Sequence, residues 1–311
     1  MGEWSKKIGE YGEKVIENFF EAIGWSDLSK GIELPCLNGK KHLNDKGNPK
    51  RTHGIDFLYS YINPLVSAQL NNVLISSKFQ NKKYPNNPSS TFKTFIDDLI
   101  ETLECFDGSE NKNSILLGFQ CSTINDVGVL FWLNSQSDSN DDLILSVSNS
   151  RIADTQTNKT IFIMDNKRVA FILEIMKYIK MQSEKFDYSF YYPNTGQNLN
   201  PQGRQNVGKV LPVEFLNSSI IPIRLENKYN PKEKCLFLAT IDNFEEDDLT
   251  RLMGLAKDIT TDLAGEVILA FPDYNELTHK NLETSAKQKF SVPGFTKTVS
   301  VVNFTNSLNI F

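Results

Sequence analysis

His53-Gly54-Ile55-Asp56 and, further on, Val73-Leu74-Ile75-Ser76-Ser77-Lys78 are the two stretches that decide how this chain reads. Each is an aliphatic or β-branched run that closes on a charged residue, the pattern of a buried strand reaching solvent at its end. Two such strands side by side deliver a carboxylate, Asp56, and an ammonium, Lys78, to one sheet edge. A surface aspartate and a surface lysine would leave the same trace, because polar residues often end strands.

Working upstream, Gly12 to Trp25 has helical periodicity. Val15, Ile16, Phe19, Phe20 and Ile23 form one apolar stripe, and Gly24 stands where such a helix stops. Glu13 and Glu17, four apart, share an edge of the helix beside that stripe, and either can overhang the sheet edge. Between helix and strand, the segment from Asn38 to Arg51 carries Lys40, Lys41, Lys46, Lys50 and Arg51 against the single acid Asp45, and Lys82 and Lys83 follow the second strand. Two basic loops flanking one site are suited to gripping phosphates, although any one of these lysines is equally well explained as a solvated surface charge. His53 reads as a structural histidine near a strand start rather than a phosphate contact.

In that order, a helix with an edge glutamate, a basic loop, a strand ending Gly-Ile-Asp and a strand ending in x-x-Lys resemble the PD-(D/E)XK, or restriction-endonuclease-like, nucleases over roughly residues 5–135. The Gly-Glu…Gly-Trp spacing is similar to the RecB-like and Holliday-resolvase-like form. The Gly-Ile-Asp wording resembles Mrr-type restriction nucleases and the nuclease subunits of two-gene bacterial antiphage systems. The resemblance implies catalytic roles for Asp56, Lys78 and Glu13, with Glu13 rather than Glu17 matching the family spacing to Gly24. It implies a Mg²⁺ or Mn²⁺ ion held by Asp56, Glu13 and the Ser77 carbonyl. The family's second acid should stand at position 76, where this chain has Ser76, a poor magnesium ligand that could still bond a metal-bound water. The activity implied is phosphodiester hydrolysis on DNA, with Lys40, Lys41, Lys50, Arg51, Lys82 and Lys83 on the phosphate backbone and a protein partner encoded nearby. Two alternatives stay open: a nuclease-fold scaffold that binds without cutting, as Ser76 suggests, and an RNA nuclease, because metal–phosphate chemistry is indifferent to the sugar.

Downstream, Ser89 to Phe106 reads as an amphipathic helix covering the sheet. Ser114–Cys121 and Val127–Asn134 read as buried strands joined at Asn125-Asp126, Lys159–Asp165 as a further strand, and Asn166–Met181 as a helix. The expected class is α/β, with a restriction-endonuclease-like αβββαβ core over 1–185. A connection rich in Asn, Gln, Gly and Pro covers 186–206, its tyrosines serving as anchors. A smaller α/β binding or assembly domain covers 207–311, with strands at Val210–Leu216, Ile220–Leu225, Cys235–Ile241 and Glu266–Phe271 and a helix from Glu245 to Leu263. The acids Asp242 and Glu245 to Asp248 are expected to complement that helix's dipole rather than bind metal.

The net charge of −5 excludes a generally basic nucleic-acid binder, so DNA contact must come from the local patch or from a partner. No apolar run is long enough for a membrane span, and the N-terminus has no secretory or myristoylation pattern, so the expected location is the cytoplasm; self-association is left open. Cys36, Cys105, Cys121 and Cys235 show no C-x-x-C spacing and the histidines are His42, His53 and His279, so structural zinc is not expected and the cysteines read as small core or loop residues.

Overall fold

The computed structural model describes residues 3–44, 46–138, 141–150, 159–199, 205–260, 265–290 and 292–305, with side chains from Glu10 onward. Asp45, residues 200–204 of the expected connection and 261–263 of the expected helix lie outside the described residues. The chain divides into two compact units. One comprises Met1–Ala170 and Pro212–Asn217, the other Phe171–Leu211 and Ser218–Phe311.

The first unit opens with α1 (Glu3–Ala22), then β1 (Ser29–Pro35), β2 (Thr52–Ile62), β3 (Gln69–Gln80), α2 (Ser89–Phe106), α3 (Glu110–Leu116), β4 (Thr123–Asn134), α4 (Leu143–Val147), β5 (Ile161–Met164) and the start of α5 (Asn166–Met181). Its sheet runs β1-β2-β3-β4-β5. β1, β2 and β3 pair antiparallel, whereas β3, β4 and β5 pair parallel. Its first elements thus trace the expected αβββαβ order. The first of the three strands, however, is β1, and Ser114–Cys121 is not a strand. That apolar run carries the end of α3, whose N-cap Ser109 accepts the Lys112 N–H; Ile115 packs on the core while Leu117 is exposed.

Helix α1 stops as its sequence demands. Gly24 takes φ 77°, its N–H donates to Glu21 O and that of Trp25 to Phe20 O, and the Trp25 and Phe20 rings stack at 5.5 Å. This is a Schellman motif with its hydrophobic contact. Above the sheet, Phe19 and Phe20 pack on Phe131, Phe20 on Phe57, and Trp25 on Tyr59. On the opposite face Leu58, Leu74, Leu130 and Trp132 meet Phe92, Ile96, Leu99 and Leu103 of α2. The period-2 alternation of the strands therefore feeds two cores.

At the end of the sheet where β3 and β4 begin, the Asp126 carboxylate is buried and bonded by Lys112 at 2.7 Å, Lys159 at 3.2 Å and Asn72 at 2.8 Å. Lys112 also pairs with Asp107. Burial opposes the Lys112 charge, but its bonds to Asp107 and Asp126 outweigh it and raise the pKa. Lys112→Met leaves Asp126 with Lys159 as its one cation and the Asn72 hydrogen bond, and about 2–3 kcal/mol of stability is expected to go. The same pairing holds Asp107 below the usual carboxylate range. Its contribution is thus full above pH ~4 and lost as pH falls through the lower folded value. Thermal unfolding of wild type and Lys112→Met from pH 7 to pH 2 checks both, the gap between them narrowing in acid.

Pro212–Asn217 returns to the first unit as a 3-10 turn (Val213–Asn217) where a strand was expected, Pro212 having no N–H for a ladder. Asn217 bonds both backbone groups of Ile163, at 2.9 and 2.7 Å, while Val213 N–H donates to the Tyr61 hydroxyl and Asn63 to Glu214.

In the second unit, β6 (Phe186–Tyr191), β7 (Val207–Gly208), β8 (Ile220–Asn227), β9 (Lys234–Thr240), β10 (Glu266–Phe271) and β11 (Val299–Asn303) form a sheet ordered β11-β10-β9-β8-β6-β7. β9, β10 and β11 are parallel and the remainder antiparallel. Its helices are the remainder of α5, α6 (Glu246–Ile259), α7 (Glu276–Lys289) and α8 (Pro293–Thr296). Phe186–Tyr191, expected within the connection, forms β6 because Phe190 and Tyr191 are buried. Acids Glu246, Asp247 and Asp248 fill the first turn of α6. Among the described residues no helix is long and apolar enough to cross a membrane.

Candidate active site at the β2–β3 fork

Antiparallel pairing of β2 with β3 ends at Phe57↔Ile75, whereas β3 continues beside β4 as far as Gln80↔Asn134. The strands part just where the charged residues begin. In the fork the Asp56 Oδ2 accepts the Ser77 N–H at 2.6 Å, so the carboxylate replaces the missing ladder partner. Ser76 and Lys78 share one face of β3, toward α2: Ser76 lines a small cleft with Gly54, Asp98 and Thr102, and the Lys78 ammonium sits 5.5 Å from the Phe95 ring centre. Asp56 and Lys78 are half-buried and form no ion pair with each other or with any other described residue. This removes the simple salt-bridge explanation of the pair.

Glu13 reaches this end of the sheet from the other face. Gly12 lies against Phe79, the neighbour of Lys78, so closely that an added Cβ would fall 2.3 Å from the Phe79 Cβ. Tyr11 packs edge-on against the same ring at 5.7 Å. Glu13 is exposed, and Glu17 is taken up by Lys30 at 2.8 Å, which leaves Glu13 the freer of the two. Gly12→Ala is expected to cost about 1–3 kcal/mol through overpacking and to lift Glu13 away from the fork. Urea unfolding gives the first effect and cleavage rate the second.

The basic residues divide. Lys41 is bonded to Glu104 at 3.0 Å, and Lys50 to Asp98 at 2.9 Å and Glu101 at 2.7 Å, so both brace the loop on α2. Lys40, Arg51, Lys82 and Lys83 are exposed. His53 is buried, and burial together with neighbouring His42 and Lys50 holds its pKa below the ordinary value.

Sequence reading missed Gln80 and Asn134, partners in register at the ends of β3 and β4. Gln80 Oε1, both side-chain polar atoms of Asn134, and Trp132 Nε1 beside Lys78 are buried without a hydrogen-bond partner. Such atoms call for water or a ligand. The signal was present in the sequence: Ser76, Lys78 and Gln80 are polar at alternate positions of a strand. Asp98, which joins Ser76 at the cleft, was also missed, but it is engaged by Lys50.

A hard divalent cation fits the fork. One oxygen of Asp56 is turned to Ser77 while the other, like the Ser76 hydroxyl and the Glu13 carboxylate, has no partner among the described residues. One or two carboxylates with water and phosphate oxygens are the usual complement of magnesium. No cluster of three His, Cys, Asp or Glu groups converges on Asp56 among the described residues.

No curated protein matches the chain. Among solved structures, the central domain of yeast acetyl-CoA carboxylase aligns at 6% identity over 90% of this chain and 44% of that chain, with a TM-score of 0.22, too slight to bear on the fold. Residues 1–168 match the family model described as the GAPS4 protein PD-(D/E)XK nuclease domain. That stretch spans α1, the fork and every strand of the first sheet, and the chain belongs to this PD-(D/E)XK nuclease family.

Proposed function

We propose that the protein is a Mg²⁺- or Mn²⁺-dependent endonuclease that hydrolyses DNA phosphodiester bonds, acting in antiphage defence together with a partner subunit. The observation that carries this is the pair of half-buried, mutually unpaired charges at the fork, Asp56 and Lys78, in a unit where Lys41, Lys50, Lys112 and Lys159 are all paired. Leaving charge half-desolvated without a partner is costly unless a ligand completes it.

Asp56, Glu13 and the Ser77 carbonyl would hold the cation, which when bound supplies an activated water and charge relief at the phosphate. Lys78 places its ammonium beside the scissile phosphate, stabilising charge as it develops and orienting the attacking water. Ser76 would offer its hydroxyl to water at the site. Phe95 and the α2 face wall off bulk solvent, which strengthens these interactions. Lys40, Arg51, Lys82 and Lys83 hold the backbone on either side, while Lys41 and Lys50 fix the loop that presents them. The acidic chain as a whole needs its partner for tight DNA binding. The second unit, which lacks any phosphate-binding glycine loop, serves as a binding or assembly module.

Cleavage of supercoiled, linear and single-stranded DNA in Mg²⁺, Mn²⁺ or EDTA, with and without the neighbouring gene's product, tests the reading. Metal-dependent cutting supports it, and DNA left intact in every condition overturns it. Ser76 in place of an acid favours a second reading, a scaffold that binds without cutting. That reading requires salt-dependent DNA binding unaffected by Asp56→Ala. RNA cut in preference to DNA would reassign the substrate while keeping the site.

A further inference from the structure

Behind the basic loop, side chains that the sequence scatters come together. Cys36 follows β1, His42 lies in the loop, His53 opens β2, Cys105 sits in the last turn of α2, and their ligand-type atoms all lie within 4.8 Å of one another. Cys36 Sγ is 3.6 Å from His42 Nδ1, Cys105 Sγ is 3.5 Å from the same nitrogen, and His53 Nε2 is 3.2 Å from it. A tetrahedral centre with Zn–S bonds of about 2.3 Å and Zn–N bonds of about 2.0–2.1 Å has S···N edges of about 3.6 Å and N···N edges of about 3.3 Å. The three separations from His42 Nδ1 match those edges, and the remaining three lie within 4.8 Å. Hydrogen bonding accounts for them poorly, since one ring nitrogen with a single proton or lone pair faces two sulfurs and a second imidazole nitrogen.

We propose that Cys36, His42, His53 and Cys105 bind one zinc-class divalent cation through both Sγ atoms, His42 Nδ1 and His53 Nε2. The surroundings are those of a ligand shell. His42 Nε2 lies 3.0 Å from Glu104 Oε2, and with the proton there donated to the carboxylate, the lone pair on Nδ1 faces the cluster. Lys41 holds Glu104 in place at 3.0 Å. The Leu37 N–H donates to Cys105 Sγ at 3.3 Å. His42, His53 and Cys105 are buried and Cys36 is half-buried, and four protein ligands complete a tetrahedron, the arrangement of a structural rather than a catalytic centre.

Sequence spacing gives no hint of this cluster, because its proximity is tertiary and no C-x-x-C pair announces it. Thiolate and imidazole select a softer ion than the oxygen donors of the fork, so the two sites take different cations. The zinc ties the loop from Cys36 to His53 to the end of α2. It thereby fixes the exposed Lys40 and Arg51 and the start of the strand that carries Asp56.

Metal analysis of the purified full-length chain, with Co²⁺ reconstitution of the metal-stripped protein, is the test. About one zinc per chain is expected, with the visible absorption of tetrahedral thiolate-bound cobalt. Cys36→Ser and Cys105→Ser bring zinc to background and Asp56→Ala keeps it, which separates this centre from the fork. Glu104→Gln weakens zinc binding roughly 10- to 100-fold. Because losing a ligand can unfold a core site, the wild-type cobalt spectrum decides. A wild-type chain with no zinc and no cobalt spectrum, or a folded Cys36→Ser/Cys105→Ser chain that keeps its zinc, overturns the proposal.

Discussion

Supercoiled plasmid is expected to stay intact with Asp56→Ala or Lys78→Ala protein under conditions where the wild-type chain, with its partner, nicks it. For Lys78→Ala the loss should be about 10²- to 10⁴-fold, the usual weight of a positioned cation and proton-handling group at a developing charge. Asp56→Ala should lose at least as much, because it removes the carboxylate at the centre of the fork. Neither should unfold the protein. Asp56 gives up one hydrogen bond to Ser77, about 1 kcal/mol, and Lys78 one cation–π contact, about 0.5–1 kcal/mol. The decisive pattern is therefore a collapse in rate with the melting temperature moved by only a few degrees. A fully active Lys78→Ala protein would remove the fork as the site of chemistry.

The largest loss of stability is expected from Phe20→Ala. Its ring is fully buried and meets Trp25 at 5.5 Å, Phe57 at 5.3 Å and Phe131 at 5.6 Å, so it joins the helix, its terminating turn and two strands. Truncation forfeits the transfer free energy of the ring and leaves a cavity among rigid aromatic neighbours, about 4 kcal/mol in all. Denaturant unfolding should show the midpoint falling well below that of Gly12→Ala. Cleavage should fall too, since α1 carries Glu13. A change under 1 kcal/mol would mean that α1 is not seated on the sheet as described.

Much of the first unit was legible because its patterns are local. The helix expected at Ser89–Phe106 is α2 to the residue, and Gly24 ends α1 through a Schellman turn. β3 read clearly because its apolar run has few breaks, whereas β2 was read only as far as Asp56 and continues through residues 57–62. β1 escaped notice: it is a short edge strand with Gly31 at φ 60° and only Leu34 fully buried. The run at Ser114 was ambiguous between strand and helix, and the cap at Ser109 settled it. At the fork, Asp56 and Lys78 were legible as charges that follow apolar runs, but neither closes its strand as expected: Asp56 lies inside β2, where the ladder to β3 stops, and β3 runs on to Gln80 beside β4. That Lys41 and Lys50 are held by Glu104, Asp98 and Glu101, or that Cys105 joins His42, depends on helix α2 folding back over a distant loop, and no local spacing records such contacts.

The return of Pro212–Asn217 bears on how the nuclease unit can be studied in isolation. The family match ends at 168, yet the hydrogen bonds on the outer side of β5 are made by Asn217, and the Tyr61 hydroxyl accepts the Val213 N–H. A chain cut near Ala170 would bare the flank of an edge strand, the kind of surface that recruits strands from other molecules. Self-association of such a fragment would then report a missing cap rather than a native oligomer. The smallest faithful fragment is not a contiguous one, and trimming this chain to its recognisable half would remove the segment that covers this edge.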